Sequence, residues 1–271
     1  MIQGDALEIE LAKFRAAHPT RQLVHRGVEW HFYAGGMGTQ SVLLLTGALG
    51  LAEFAFQQIL LLEGKFRVLA PDYPPVGSLA DLCGGLVRLL SEEHIPGVHV
   101  VGGSFGGVLA QALVRQASER VASVVLSHTG APDGRRRRGV ALFALLPVSV
   151  LRTFLRARLG PTLAAADPFW RRHFESAVGR LSKADILSRL RIQAEFGAAR
   201  YRPEDLARWP GRVLILEAED DPLFAPTARE RLRALYPTAQ VHQFQGTGHA
   251  AAIQHPKEYT AVVTRFFDAA V

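Results

Sequence analysis

Short apolar runs alternate along this chain with longer stretches in which apolar residues return every three or four positions. The first pattern suits strands and the second suits helices laid over them, so their order predicts an α/β protein with a mostly parallel sheet. An opening helix is expected over Ala6–His18, followed by strands near Arg21–His25 and Trp30–Ala34. Val42–Leu45, Phe66–Ala70 and Val98–Val101 are uninterrupted apolar runs, as strands covered on both faces require. Ala122–Ser127, Val213–Glu217 and Val241–Phe244 complete an eight-stranded sheet. Helices fit at Ala52–Leu62, Leu79–Glu93, Phe105–Gln116, Pro226–Leu235 and Pro256–Ala269. Right-handed crossovers put those helices on both faces and place ligand sites beyond the carboxyl ends of the strands.

The alternation breaks once, after the sixth strand. Residues 134–203 contain helical patterns, such as Asp167–Val178 and Lys183–Phe196, and no strand pattern. Charge marks the same boundaries: this segment has 15 Lys/Arg and 4 Asp/Glu, while the whole chain has a net charge of +6. A core domain over 1–133 and 204–271, with a basic helical cap over 134–203 roofing the site, is therefore expected. The cap's Val140–Leu146 and Val148–Leu155 are placed to line an apolar acyl pocket. Its arginines, including the run Arg135–Arg138, are placed to steer anionic substrates or to meet an anionic membrane or a protein surface.

Composition narrows the class further. Apolar residues make up 48% and charged residues 21%, which suits a globular protein with a full core. Cys83 is the only cysteine and sits on the apolar side of a predicted helix, so it is expected to be structural and reduced. The chain opens without a basic-then-apolar leader pattern, and its longest apolar stretch is too short to span a bilayer. A cytoplasmic location is the expectation. No histidine and carboxylate spacing matches a metal motif, so no metal is expected, and neither a cofactor nor nucleic acid is expected.

The sharpest chemical signal is Gly102-Gly103-Ser104-Phe105-Gly106, set between a buried strand and a helix. A nucleophile on such a strand-to-helix turn needs small residues two positions before and after it, because side chains there would collide. The amide of Phe105 then lies in the first helical turn, where N–H groups have no intrahelical acceptor and can stabilise an oxyanion. A serine nucleophile also needs a base held by an acid. After the seventh strand comes Asp220-Asp221-Pro222, and after the eighth comes Gly246-Thr247-Gly248-His249. His249 is the expected base and Asp221 the acid, preferred over Asp220 for its place beside Pro222. The loop after the third strand, Thr46-Gly47-Ala48, is expected to supply a second oxyanion donor from the Ala48 amide. His128, at the end of the sixth strand, is expected either in the pocket wall or as a hydrogen-bonded residue supporting the site.

These motifs resemble the α/β-hydrolase superfamily over nearly the whole chain. That resemblance implies an α/β-hydrolase fold with a helical cap inserted after the sixth strand. Further stretches resemble the maspardin group: Phe14-Arg15-Ala16-Ala17-His18-Pro19, Phe56-Gln57-Gln58-Ile59-Leu60, Tyr73-Pro74 and Leu235-Tyr236-Pro237. The maspardin resemblance implies an interaction protein as one alternative. The Ser104, Asp221 and His249 set points instead to a serine hydrolase with an acyl-enzyme intermediate, most simply a carboxylesterase acting on a small-molecule ester. The same set also suits carbon–carbon bond hydrolysis, cofactor-free perhydrolysis or cyanohydrin cleavage, because fold and triad do not define the substrate.

Overall fold

An apolar run can leave water only if its backbone polar groups are paired, and the strand runs of this chain solve that by joining one sheet. The computed structural model describes residues 3–135 and 139–269. Its strands are β1 (Arg21–His25), β2 (Val28–Gly35), β3 (Ser41–Leu45), β4 (Arg67–Pro71), β5 (Val98–Gly103), β6 (Val121–Ser127), β7 (Arg212–Ala218) and β8 (Gln240–Phe244). They lie in the order β1-β2-β4-β3-β5-β6-β7-β8. β2 runs antiparallel to both β1 and β4, and every pair from β4 to β8 is parallel.

The helices outside the insertion are α1 (Gln3–Ala17), α2 (Phe56–Leu62), α3 (Leu79–Glu92), α4 (Phe105–Gln116), α9 (Pro226–Leu235), α10 (Ala251–Gln254) and α11 (Pro256–Asp268). The stretch expected as one helix over Ala52–Leu62 is divided. Ala52–Ala55 forms a 3-10 turn whose first amide donates to Asp72 Oδ1 at 2.6 Å, and the α-helix starts only at Phe56.

β3 shows why its run has no polar break. Val42 and Leu44 face a core built with α2 and α11, while Leu43 and Leu45 face a second core built with α3 and α4. Each such fully buried side chain contributes about 1.5–3 kcal/mol relative to an exposed one. Cys83 lies in the second core, where burial pushes its thiol up to about 12.

Between β6 and β7 the described chain is helical: α5 (Val140–Phe143), α6 (Val148–Leu159), α7 (Pro168–Arg180) and α8 (Lys183–Ala198). Their starts follow local capping rules. Asp167 caps α7 ahead of Pro168, and Ser182 and Asp185 form a capping box on α8. Leu151, Phe169, Trp170 and Phe174 pack into the first core, and α8 reaches both cores through Ile186 and Phe196. Arg136, Arg137 and Arg138 lie outside the described residues.

The chain leaves β3 for β4 on one side, then enters β5 on β3's other side. The loops after β3 and β5 therefore start from adjacent strands and diverge, which opens a crevice at the sheet's carboxyl edge.

Candidate active site

At that crevice the β5–α4 turn holds Ser104 at φ 53° and ψ −113°. A non-glycine residue in such a conformation costs on the order of 1–3 kcal/mol and persists only when its surroundings over-determine it. Here the Ser104 amide donates to Ser127 O at 2.8 Å. Its carbonyl accepts from the Gly107 amide at 3.0 Å and from Thr129 Oγ1 at 2.9 Å. Gly102 and Gly106 are required by close approach: a Cβ on Gly102 would strike the Gly106 carbonyl, and one on Gly106 would strike the Leu45 carbonyl. The turn is thereby pressed against the end of β3.

The loop after β3 then passes directly over the serine. A Cβ on Gly47 would lie 3.8 Å from Ser104 Cβ, and Ala48 lines the same cavity as Ser104. Two long-range groups hold this loop from behind. Tyr73 Oη donates to Thr46 O at 2.9 Å. Arg189 Nη2, from α8, donates to Tyr73 O at 2.6 Å and to Leu49 O at 3.4 Å. Sequence reasoning missed Arg189, because no local signal links it to a loop 140 residues away. Phe105 follows the serine and opens α4.

The two aspartates after β7 have separate tasks. Asp221 is buried, and its Oδ2 lies 2.9 Å from His249 Nδ1 while Oδ1 accepts from the Leu223 amide at 2.8 Å. Burial alone would raise its pKa. The hydrogen bond and charge of His249, with the Leu223 amide, outweigh burial and hold the carboxyl below its ordinary value. Asp220 is exposed and accepts the Gly248 amide at 3.0 Å, so it pins the backbone of the histidine loop instead. Gly246 and Gly248 carry that turn with φ of 66° and 54°. Phe224 stacks on the His249 ring with centroids 5.8 Å apart, a partner that the sequence motifs did not single out.

Ser104 and His249 line one cavity of about 200 Å³, although no hydrogen bond joins them in this structure. Catalytic hydrogen bonds often tighten only once substrate is bound. Leu44, Leu51, Phe54, Val101 and Ile253 supply much of its wall, and among the described residues no Lys, Arg, Asp or Glu lines it. The insertion contributes Leu159, Thr162, Leu163 and Phe174. Val140–Leu146 and Val148–Leu155, expected to form the lining, do not reach it. α6 turns its row Val148, Leu151 and Leu155 onto the core behind the cavity, so only its last residue, Leu159, arrives at the wall.

His128 also lines the cavity, edge-on to His249 with ring centroids 5.8 Å apart. Its Nδ1 lies 3.0 Å from Ser127 Oγ, and its Nε2 has no hydrogen-bond partner. Burial first, then the neighbouring His249 charge, lowers its pKa from 6.5 to about 4. A histidine held neutral in this way stabilises the fold fully above pH 6.5, and that stability declines as pH falls toward 4. Unfolding free energy should therefore drop by about 2 kcal/mol between pH 7 and pH 5 on account of this ring. Urea titrations at both pH values should show a smaller drop in His128→Asn, whose side chain tolerates the positive φ of 46°. An equal drop in both proteins would show that His128 is not the titrating group.

A strained serine beside the end of β3, with a largely buried histidine–aspartate pair on later loops, accords with the match of a model of the alpha/beta hydrolase family to residues 42–262. The chain belongs to the α/β hydrolase family. Within that family it is similar to maspardin of Danio rerio, at 28% identity covering 84% of this chain and 75% of that one. It is also similar to 2-hydroxy-6-oxononadienedioate/2-hydroxy-6-oxononatrienedioate hydrolase of Cupriavidus pinatubonensis, at 27% identity covering 85% and 88%. Naproxen esterase of Bacillus subtilis shares the α/β-hydrolase fold, with a TM-score of 0.67 and 17% identity over 98% of this chain and 99% of that one. Among the described residues no cluster of His, Cys, Asp or Glu is suited to a metal ion, and no helix is long and apolar enough to cross a membrane.

Proposed function

We propose that this α/β hydrolase is a carboxylesterase for neutral esters with an apolar acyl group, acting through Ser104, His249 and Asp221. Ser104 Oγ attacks the ester carbonyl as His249 takes its proton. Asp221 fixes the imidazole tautomer and stabilises the imidazolium that forms. The Ala48 and Phe105 amides hold the oxyanion, each donor being worth about 3 kcal/mol in comparable sites. His249 then protonates the departing alcohol, and water attacks the acyl-enzyme by the same route to release the acid. Residues 134–203 act as a cap over this chemistry, and the lone buried Cys83 accords with a cytoplasmic protein.

The observation that carries the substrate class is the cavity wall. An apolar surface with no described Lys or Arg has nothing to neutralise a carboxylate, whereas the Cupriavidus relative is named for dicarboxylate substrates. None of the described basic residues in 134–203 lines the cavity, so they give substrate no cationic lining. A complete Ser, Asp and His set also favours catalysis over a purely scaffolding role.

A panel of soluble esters of graded acyl length tests the reading. Within the capacity of the cavity, kcat/KM should rise by about fourfold per methylene, the transfer energy of one CH₂. An ester with a terminal acyl carboxylate should be turned over far more slowly than its uncharged isostere. Preference for the charged member, or efficient cleavage of a dicarboxylate carbon–carbon substrate, would overturn it.

A further inference from the structure

α6 carries apolar residues on two opposite faces, which a helix lying on the surface of a globular protein ordinarily does not. Its inner row, Val148, Leu151, Leu155 and Leu159, is accounted for by the core and the cavity. Its outer row, Val150 and Phe154, is exposed and ends in the exposed Arg158. Residues just ahead of α6 extend the same surface. Leu142 is 66% exposed and Leu145 79%, and Phe143 packs on Phe154 with ring centroids 5.9 Å apart. Ten large apolar side chains are exposed among the described residues, and five of them fall within 142–154. The others are dispersed along the sequence, so this patch is a distinct feature of the protein.

Charge identifies what the patch meets. Residues 134–166 contain seven arginines and no Asp, Glu or Lys. Arg156 is compensated by Glu175, but Arg152 donates to the Leu181 carbonyl and keeps its charge, and among the described residues no ion pair holds the exposed Arg158. Two copies of this surface would bring the uncompensated Arg152 and Arg158 against their counterparts, which opposes self-association. An anionic lipid interface satisfies both parts together, taking exposed apolar side chains below its headgroups and guanidinium groups among its phosphates.

We infer that the α5–α6 surface, through Leu142, Leu145, Val150, Phe154 and Arg158, docks the protein on an anionic membrane. α6 runs from this surface to Leu159 in the wall of the Ser104 cavity, so a docked protein holds its apolar cavity close to the lipid. The docking does not depend on the catalytic roles proposed above.

The protein is mixed with phosphatidylcholine vesicles made with and without phosphatidylglycerol, and the two are sedimented. Wild type should pellet with the anionic vesicles, remain in solution with the neutral ones, and be released by salt. The triple variant Leu142→Gln, Leu145→Gln, Phe154→Gln should bind at least about tenfold more weakly. Its melting temperature and its turnover of a short soluble ester should match wild type, because the three side chains are exposed and lie outside the cavity wall. Failure to pellet with anionic vesicles would overturn the inference, as would equal pelleting of the triple variant. So would a wild-type dimer in analytical ultracentrifugation that the same substitutions dissociate, since a second copy would then cover the patch.

Discussion

In Ser104→Ala, ester turnover is expected to fall by about a millionfold, the scale seen when the nucleophile of a cooperating triad is removed. The expected loss is this large because the proposed mechanism has Ser104 and His249 acting as a unit, leaving only binding and oxyanion stabilisation in the variant. A fluorophosphonate probe should label wild type and leave the variant unlabelled. The fold should survive, since alanine replaces serine without filling new space and the turn is held by backbone bonds to Ser127, Gly107 and Thr129. Circular dichroism and a thermal melt close to wild type would show this. Equal labelling of both proteins would remove Ser104 from the role, and failure of wild type to react would leave the interaction-protein reading.

Asp221→Asn is expected to lower kcat by about 10⁴-fold, because an amide there favours the wrong imidazole tautomer and cannot stabilise the imidazolium. Asp220→Asn should stay within severalfold of wild type. Its amide oxygen can still accept the Gly248 N–H, and its side chain does not touch the imidazole. Kinetics of the two single variants on one neutral ester, with melting temperatures, make the comparison. If Asp220→Asn proved the more damaging, the acid role would pass to Asp220.

The alternation of apolar runs and helical patterns was enough to place all eight strands within two residues of their observed bounds. The reason is local: a strand covered on both faces, like β3, cannot tolerate a polar position, and the run is visible without its neighbours. Gly102, Ser104 and Gly106 were legible for a similar reason, since a strained turn excludes side chains at fixed offsets. Asp221 and His249 could be proposed from their order after the last two strands, because strand ends on one sheet edge meet in space.

Tertiary structure decided what depends on direction and on distant contacts. Asp220 and Asp221 have the same chemistry one residue apart, yet one points to the Gly248 amide and the other to the imidazole. The hold of Arg189 on Leu49 exists only because α8 crosses back over the β3 loop. The sequence determined that residues 140–155 are mostly apolar, but a helix can turn either face inward. Packing against Phe169, Phe174 and the first core chose which row is buried, left Val150 and Phe154 outside, and brought only Leu159 to the cavity.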